Sequence, residues 1–150
     1  MSGTIVGGEF INPDRIVNKL ANAFEAWANE EVNDYFRDQF IEDKWPYDGN
    51  TLRKSGEQVG SPRNIFDLGD LYRSGRNNFS ITQGGVDITA SWNWNAKNSS
   101  GRAYAWYVHE GLGTNLAPRQ WTDIFQEQTL FDRSPLSKEL KMRIRNALNK

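Results

Sequence analysis

The sequence predicts an α+β fold in which a small antiparallel sheet packs with a long N-terminal helix and two C-terminal helices. The prediction depends on a helical pattern after Pro13, a strand alternation on both sides of residues 84–85, and a four-residue apolar repeat near the C-terminus. The 150 residues are enough for one domain with its own core. We therefore predict a single domain over 1–150, with a flexible arm at 1–11 and a mobile loop at 46–64.

The first helix is predicted to begin at Pro13 and to end near Asp43. Asn12 is a favoured capping residue, proline is favoured at the first helical position, and Asp14 places an acid near the positive end of the helix. The Trp-Pro pair at 45–46 must end the helix, because proline restricts the residue before it and cannot continue the hydrogen-bond ladder.

The apolar positions of this helix change face partway along. The first half presents Ile16, Leu20, Phe24 and Trp27, and the second half presents Val32, Phe36 and Phe40. A straight helix packed on one body keeps a single apolar face. The helix therefore either bends near residues 28–32 or sends its second half out of the domain. The pattern favours two halves with different neighbours.

The middle of the chain predicts a β-hairpin. Residues 84–85 (Gly-Gly) form a two-residue loop suited to a primed turn, which sets Ile81 opposite Ile88 and Phe79 opposite Ala90. The second strand alternates polar and apolar side chains, as a half-buried antiparallel strand does. Its apolar face would carry Val86, Ile88, Ala90, Trp92 and Trp94.

Three segments complete the predicted elements. Residues 102–109 are either a third strand or a short helix, and a strand is favoured. After a glycine-containing loop at 111–115, Pro118 opens a helix with Trp121, Ile124 and Phe125 on one side. The Ser-Pro pair at 134–135 caps the last helix, which repeats Leu136, Leu140, Ile144 and Leu148 every four residues.

Composition excludes several function classes. The net charge of −1 gives no general attraction to nucleic acid or to an anionic membrane, and the absence of cysteine excludes disulfides, thiolate metal sites and cysteine catalysis. The first eight residues lack the features of a secretory signal, and no stretch approaches the roughly 20 apolar residues of a membrane span. We therefore expect a cytoplasmic protein with no membrane contact.

The residues needed for catalysis or cofactor binding are scarce. His109 is the single histidine, and although Glu110 follows it, no Gly-x-Ser-x-Gly nucleophile turn accompanies the pair. Residues 111–115 (Gly-Leu-Gly-Thr-Asn) lack the further glycine or lysine of a phosphate-binding loop. We predict no enzyme, no cofactor and no metal site. A weak, non-specific nucleic-acid role for the basic helix at 138–150 or the loop at 53–63 stays open.

Three short runs carry a family resemblance. Residues 62–74 read Pro-Arg-Asn-Ile-Phe-Asp-Leu-Gly-Asp-Leu-Tyr-Arg-Ser, residues 104–111 read Tyr-Ala-Trp-Tyr-Val-His-Glu-Gly, and residues 118–121 read Pro-Arg-Gln-Trp. Together they resemble the neck or tail-completion proteins of tailed bacteriophages. The matching positions are Asp67, Gly69, Leu71, Ser74, Tyr104, Tyr107, Val108, Gly111, Pro118, Arg119 and Trp121. The chain departs from the family pattern at Asp70 and at residues 75–76 (Gly-Arg).

The resemblance implies a structural virion protein. It would be a subunit of a homo-oligomeric ring, sixfold in this family, that joins the head connector to the tail and lines the DNA passage. Its partners would be further copies of itself, adjacent connector or stopper proteins, and tail-tube or terminator proteins, with only transient and non-specific passage of DNA. It would assemble in the cytoplasm of the bacterial host and reside in the neck or tail of the virion.

Two residue sets follow as candidates for such a role. Aromatic side chains bury much area at interfaces, so the predicted ring interface is Trp92, Trp94, Trp106, Tyr107 and His109. Carboxylates repel passing phosphates, so the predicted channel-facing residues are Glu31, Asp34, Asp38 and Glu42, unless these are simply a solvated helix face. The alternative function is a carbohydrate-active, muramidase-like or glycan-binding domain, which requires a cleft that combines carboxylates with tryptophan. A monomeric interaction module, with its aromatic residues buried internally, is a further alternative.

Overall fold

The computed structural model describes residues 13–46, 51–84, 87–112 and 117–149. They form a mixed helix-and-strand fold, which confirms the predicted α+β class. The helices are α1 (Pro13–Trp27), α2 (Asn33–Ile41), α3 (Asp70–Asn77), α4 (Ala105–Glu110), α5 (Asp123–Gln126), α6 (Gln128–Arg133) and α7 (Pro135–Leu148). The strands are β1 (Thr51–Leu52), β2 (Gln58–Val59), β3 (Ser80–Gly84) and β4 (Asp87–Ser91). The predicted arm at 1–11 lies outside the described residues.

A π-helical turn over Ala28–Val32 joins α1 to α2 in one continuous helical run. The backbone N–H of Asn33 donates to the carbonyl of Ala28, five residues earlier, instead of four. The wider turn holds one residue more than an α-helical turn, so it rotates everything after it by about 100° relative to an unbroken α-helix. This rotation cancels the change of apolar face in the sequence, and Trp27, Phe36 and Phe40 are all buried in one core.

The two halves of this run have different neighbours, as predicted. Helix α1 packs along α7, where the indole N–H of Trp27 donates to the carbonyl of Leu136 at 2.9 Å. Helix α2 packs against α3. Both halves belong to the same core cluster, so the alternative in which the second half leaves the domain is wrong.

The hairpin forms in a register that differs from the predicted one. Ile81 pairs with Ala90, and the ladder ends where Gly84 pairs with Asp87. The set of residues on each face is unchanged, because the register differs by two residues. Phe79 instead lies against Trp92, with ring centroids 4.9 Å apart, so the packing of two large rings accompanies the observed register. The predicted alternation from 87 to 95 is present, with odd-numbered side chains exposed and even-numbered ones partly buried.

Three predictions for the second half of the chain need correction. Residues 105–110 are helix α4, so the favoured third strand is wrong. Pro118 does not open a helix, because the backbone N–H of Arg119 donates to the carbonyl of His109 at 2.9 Å and holds this segment beside α4. The helix begins at Asp123, and two short helices, α5 and α6, precede α7 where a single helix was predicted. The cap of α7 is as predicted: the Ser134 hydroxyl oxygen accepts from the N–H of Ser137.

The segment predicted as a mobile loop contains regular pairing in its described part. Strands β1 and β2 pair in antiparallel register, and Trp45 forms an isolated bridge with Arg63. Strand propensity does not identify such a ladder, because each strand has only two residues. The ladder brings the turn at 53–56 close to the start of α3, which matters for the site below.

The core is dominated by aromatic rings. Phe36 lies at its centre, with centroid distances of 5.4 Å to Trp92, 4.8 Å to Trp94 and 5.6 Å to Phe125. Trp121 is 2% exposed and packs 5.2 Å from Phe40. Helices, hairpin and irregular segments of the described ranges therefore share one hydrophobic core.

Candidate functional site

The three runs that carry the family resemblance lie around one cavity, which we call the motif cavity. It has a volume of about 240 Å³. Residues from all three runs line it: Asp67, Gly69, Leu71, Tyr104, Val108 and Arg119. The phenol of Tyr104 is half-buried there, and burial, followed by the charges of Asp70 and Asp67, raises its pKa. The sequence placed these residues in separate runs, and the fold brings them together.

Asp67 fastens the β1–β2 turn to the start of α3. Its carboxylate accepts backbone hydrogen bonds from Lys54 at 3.0 Å and from Ser55 at 3.3 Å. Burial tends to raise the pKa of this carboxyl, but these hydrogen bonds, a bond from the Ser55 side chain and the positive charge of Arg53 outweigh it and lower the pKa. Asp67 is therefore charged at neutral pH and holds the β1–β2 turn to the start of α3.

Gly69 and Leu71 have local structural roles. Gly69 precedes α3 with φ of 81°, in the left-handed region, and a Cβ atom there would lie 2.8 Å from the Phe66 ring. Only glycine enters this conformation without strain. Leu71 is buried, and the Ser74 hydroxyl donates to its carbonyl at 2.7 Å. The first motif element thus specifies how α3 begins and which side faces the core.

The departure from the family pattern at Gly75 also has a structural reason. Gly75 is buried within α3, and a Cβ atom there would collide with the indole of Trp94. Helix α3 therefore approaches the segment that follows β4 more closely than a side chain at position 75 would allow.

The second motif element ends α4. Gly111 has φ of 68°, and the N–H of Leu112 donates to the carbonyl of Tyr107 at 2.9 Å. This is the glycine-terminated helix end that reverses chain direction. The predicted loop continues into residues 113–116, which lie outside the described residues. Pro118 and Arg119 follow, and Arg119 is 5% exposed.

The predicted interface set separates into two groups. Trp106 and Tyr107 are 63% and 54% exposed on consecutive positions of α4. Trp92 and Trp94 are half-buried, and both rings pack on Phe36. These two tryptophans and His109, which is 5% exposed, are core elements. Aromatic content alone cannot distinguish the two groups, since such residues serve cores and interfaces alike.

His109 lies in a chain of hydrogen bonds that the sequence did not reveal. Its Nδ1 lies 2.7 Å from Glu110 Oε1, and its Nε2 lies 2.8 Å from the hydroxyl of Thr122. Because an ionised carboxylate only accepts hydrogen bonds, Nδ1 carries a proton. The amide of Gln126 donates to the same hydroxyl at 2.9 Å. The connectivity is that of a nucleophile, a base and an orienting acid, and it is also what a buried imidazole needs to satisfy both nitrogens.

A second concavity, which we call the tryptophan cavity, opens beside this chain. Its volume is about 230 Å³. It is lined by Trp92, Asn93, Trp94, Ala105, Trp106, His109, Trp121, Thr122 and Gln126. Two of its tryptophans, Trp94 and Trp121, pack edge to face, with ring planes that meet at 66°. Helix α4, the segment that follows β4, the turn before α5 and the end of α5 build it jointly.

The predicted channel-facing acids are all ion-paired within the chain. Glu31 lies 2.9 Å from Arg143 of α7. Arg37 lies between Asp34 and Asp38, at 2.9 and 3.2 Å. The remaining acid, Glu42, pairs with Lys44 at 3.3 Å. Exposed pairs such as these contribute about 0–1 kcal/mol each. The acids are therefore not a purely negative face, although Asp34 and Asp38 keep about half of their side-chain surface exposed.

Arg143 is the cation that the sequence analysis missed. Its guanidinium contacts Glu30 at 2.7 Å, Glu31 at 2.9 Å and Glu139 at 2.8 Å. The hydrogen bond that Arg143 donates to the Glu30 carboxylate, followed by the one it donates to Glu139, outweighs burial and raises the pKa of Arg143 further above its usual value. Arg143 fastens α7 to the π-helical turn.

Comparison of the chain with protein-family models, curated proteins and solved structures finds no match. Within the described ranges, no group of three or more potential metal ligands comes together. Over the same ranges, no helix is both long and apolar enough to cross a membrane. The motif cavity, the tryptophan cavity and the exposed residues of α4 are the features on which the proposals below are based.

Proposed function

We propose that this chain is a structural subunit of a tailed bacteriophage, of the neck or tail-completion class. In this proposal it forms a homo-oligomeric ring that joins the head connector to the tail and surrounds the passing DNA. Its neighbours are connector or stopper proteins on one side and tail-tube or terminator proteins on the other. It assembles in the host cytoplasm and remains in the virion.

One observation supports the proposal most. Six of the eleven positions that carry the family resemblance, drawn from all three runs, meet around the motif cavity. The motif positions have architectural roles: Asp67 holds a turn, Gly69 and Gly111 shape helix ends, and Trp121 fills the core. Motif residues that stabilise the fold are expected in a family whose members share a shape and a mode of assembly.

The exposed side of α4 is the proposed contact with the neighbouring copy. Trp106, Tyr107 and Leu112 are each about half or more exposed within a stretch of seven residues. Ring contacts are heterologous, so this patch would meet a different surface on the next copy. Aromatic side chains are enriched at such contacts and are depleted elsewhere on protein surfaces.

The proposal assigns no catalytic role to the chain. In it, the Glu110–His109–Thr122 chain holds α4 to the turn before α5. The muramidase alternative needs two carboxylates beside a bound sugar. Among described residues, the motif cavity contains Asp67 and Asp70 without a tryptophan, and the tryptophan cavity contains no carboxylate.

The self-association part is tested by light scattering of the purified chain over a range of concentrations. We expect a discrete oligomer, or a mass that rises with concentration from 17.2 kDa. Replacing Trp106 and Tyr107 together with alanine should reduce it. The matched control replaces Met142 and Leu148, two exposed apolar residues of α7, with alanine and should leave it unchanged.

The phage role is tested by an early stop codon in this gene in the phage that carries it. We expect heads and tails that accumulate without joining, and complementation by the wild-type gene in trans. The variant with Trp106 and Tyr107 replaced should complement poorly. Virions that form and infect normally without the protein would overturn the proposal, whatever the oligomeric state in solution.

A further inference from the structure

The tryptophan cavity has a chemistry distinct from the rest of the surface. Indole rings form much of its lining, and amide and hydroxyl groups of Asn93, Thr122 and Gln126 lie among them. Its lining contains no Lys, Arg, Asp or Glu among the described residues. Ligand sites typically combine an apolar concave surface with a few polar groups that fix orientation. The cavity therefore has the composition of a site for a neutral ligand.

The absence of charged side chains from the lining discriminates between ligand classes. A nucleotide or phosphorylated ligand is recognised chiefly by Arg and Lys side chains, and neither residue type lines this cavity. A charged peptide side chain would be desolvated there without a counter-charge. A neutral ring with one apolar face and a rim of hydroxyls meets no such penalty.

We propose that the tryptophan cavity binds a neutral saccharide. The apolar C–H face of a pyranose ring packs on an indole face, whose quadrupole is negative, and its hydroxyls reach the amides of Asn93 and Gln126. The volume of about 230 Å³ is below the roughly 300–1,000 Å³ of typical ligand sites, so the cavity holds one or two sugar units of a longer glycan. The inference does not depend on the proposed ring, but Trp106 belongs both to this cavity and to the proposed ring contact, so the saccharide is expected to bind the free chain and to compete with that contact.

The bound saccharide is left intact. Glycoside hydrolysis needs an acid and a second carboxylate on opposite sides of the bond. Three carboxylates directly follow lining residues in the sequence, those of Glu110, Asp123 and Glu127, but none of them lines the cavity. The Glu110 carboxylate is engaged by His109 at 2.7 Å. The site is therefore one of attachment or recognition.

The test uses the purified full chain and isothermal titration with neutral probes: glucose, galactose, N-acetylglucosamine and their disaccharides. Glucuronic acid and glucosamine serve as charged counterparts. We expect at least one neutral probe to bind, with charged counterparts weaker by about tenfold or more, and to be recovered uncleaved. No binding of any neutral probe, equal binding of charged ones, or selective binding of nucleotides would overturn the proposal.

Variants locate the site. Trp106→Ala and Gln126→Ala should each lower the affinity for the bound probe by about tenfold. The first variant loses a stacking face, and the second loses a polar contact. The matched control is Tyr107→Ala, an exposed aromatic neighbour on α4 that does not line the cavity, and its affinity should stay within about twofold. Circular dichroism checks that each variant is folded. Equal loss in the Tyr107 variant would show that the saccharide binds elsewhere.

Discussion

Gly69 occupies a backbone conformation and a space that both require the absence of a side chain. Its φ is 81°, and an added Cβ would lie 2.7 Å from the Arg73 guanidinium and 2.8 Å from the Phe66 ring. A left-handed L-residue costs about 1–2 kcal/mol, and overpacking adds about 1–3 kcal/mol. We expect Gly69→Ala to lower the free energy of unfolding by the sum of these effects, measured by urea denaturation.

Gly56 provides the matched control for this prediction. Its φ of 88° is also left-handed, but nothing lies within 4 Å of the position of its Cβ. Gly56→Ala should therefore show the conformational cost alone. If the two alanine variants lost the same stability, the packing of the motif element around Gly69 would not be as described.

Asp67 gives a prediction about acid stability. Its pKa is lowered from the ordinary value of 3.8, so the unfolded state takes up a proton at a higher pH than the folded state does. Its contribution is therefore complete above the ordinary pKa and is lost as the pH falls through the folded pKa. We expect Asp67→Asn to be less stable than wild type at pH 7, with the difference shrinking below about pH 4. Urea midpoints at pH 7, 5, 4 and 3 measure this, and a difference independent of pH would contradict it.

Residue-scale roles were only partly visible in the sequence. Gly69 and Gly111 stood out as positions of the family resemblance, and both are left-handed in the structure, where glycine is favoured. Thr122 and Gln126 gave no signal, because their connection to His109 crosses 13 and 17 residues and depends on the turn before α5. Burial of Trp92 and Trp94 was equally invisible, since an exposed and a buried tryptophan look the same in a polar chain.

At the scale of elements, the π-helical turn behaves as one residue inserted into an α-helix. Removing one residue from it should leave the flanking faces aligned, because a normal α-helical turn then replaces the wide one. We expect deletion of the exposed Asn29 to keep the fold, with the free energy of unfolding within about 1–2 kcal/mol of wild type. Thermal and urea unfolding measure it.

The control deletion lies in regular α-helix. Glu25 is exposed in α1, and removing it rotates all earlier residues by about 100° relative to later ones. The contact of α1 with α7 is then lost, and we expect severe destabilisation or failure to fold. If both deletions lowered the stability equally, the π-helical turn would not behave as an α-helical turn with one residue inserted.

The same element shows how far sequence patterns reach. The face change near residues 28–32 was a property of the apolar spacing and indicated an irregularity at the correct place. Its form, a wider turn rather than a bend, depends on burying Trp27 and Phe36 in one core, which is a tertiary requirement. Helix α4 was predicted as a strand for a related reason: six residues are too few for periodicity to separate the two.

For the whole molecule, the sequence analysis correctly predicted the α+β class, because the long helix, the hairpin and α7 each carry a strong local pattern. The hairpin register and the β1–β2 ladder depend on contacts between distant segments. The residues of the motif cavity were visible in the sequence only as three separate runs. Local patterns therefore identified the elements, and long-range packing assembled the candidate sites.

The acids of α2 give the prediction for the assembled molecule, and it rests on the proposed ring. Asp34 and Asp38 are about half exposed on both sides of Arg37. If this face lines the passage, replacing both acids with lysine should attract DNA phosphates and slow genome transit. We expect reduced infectivity and slower DNA release from virions that carry the lysine variant.

Matched asparagine variants separate charge reversal from loss of the ion pairs. Replacing Asp34 and Asp38 with asparagine removes the pairs with Arg37 but adds no positive charge, and exposed pairs are worth only about 0–1 kcal/mol each. These virions should behave nearly as wild type, and melting curves of the purified chains should differ little between the two variant pairs. Normal infectivity of the lysine variant, or an equal defect in the asparagine variant, would place this face away from the DNA.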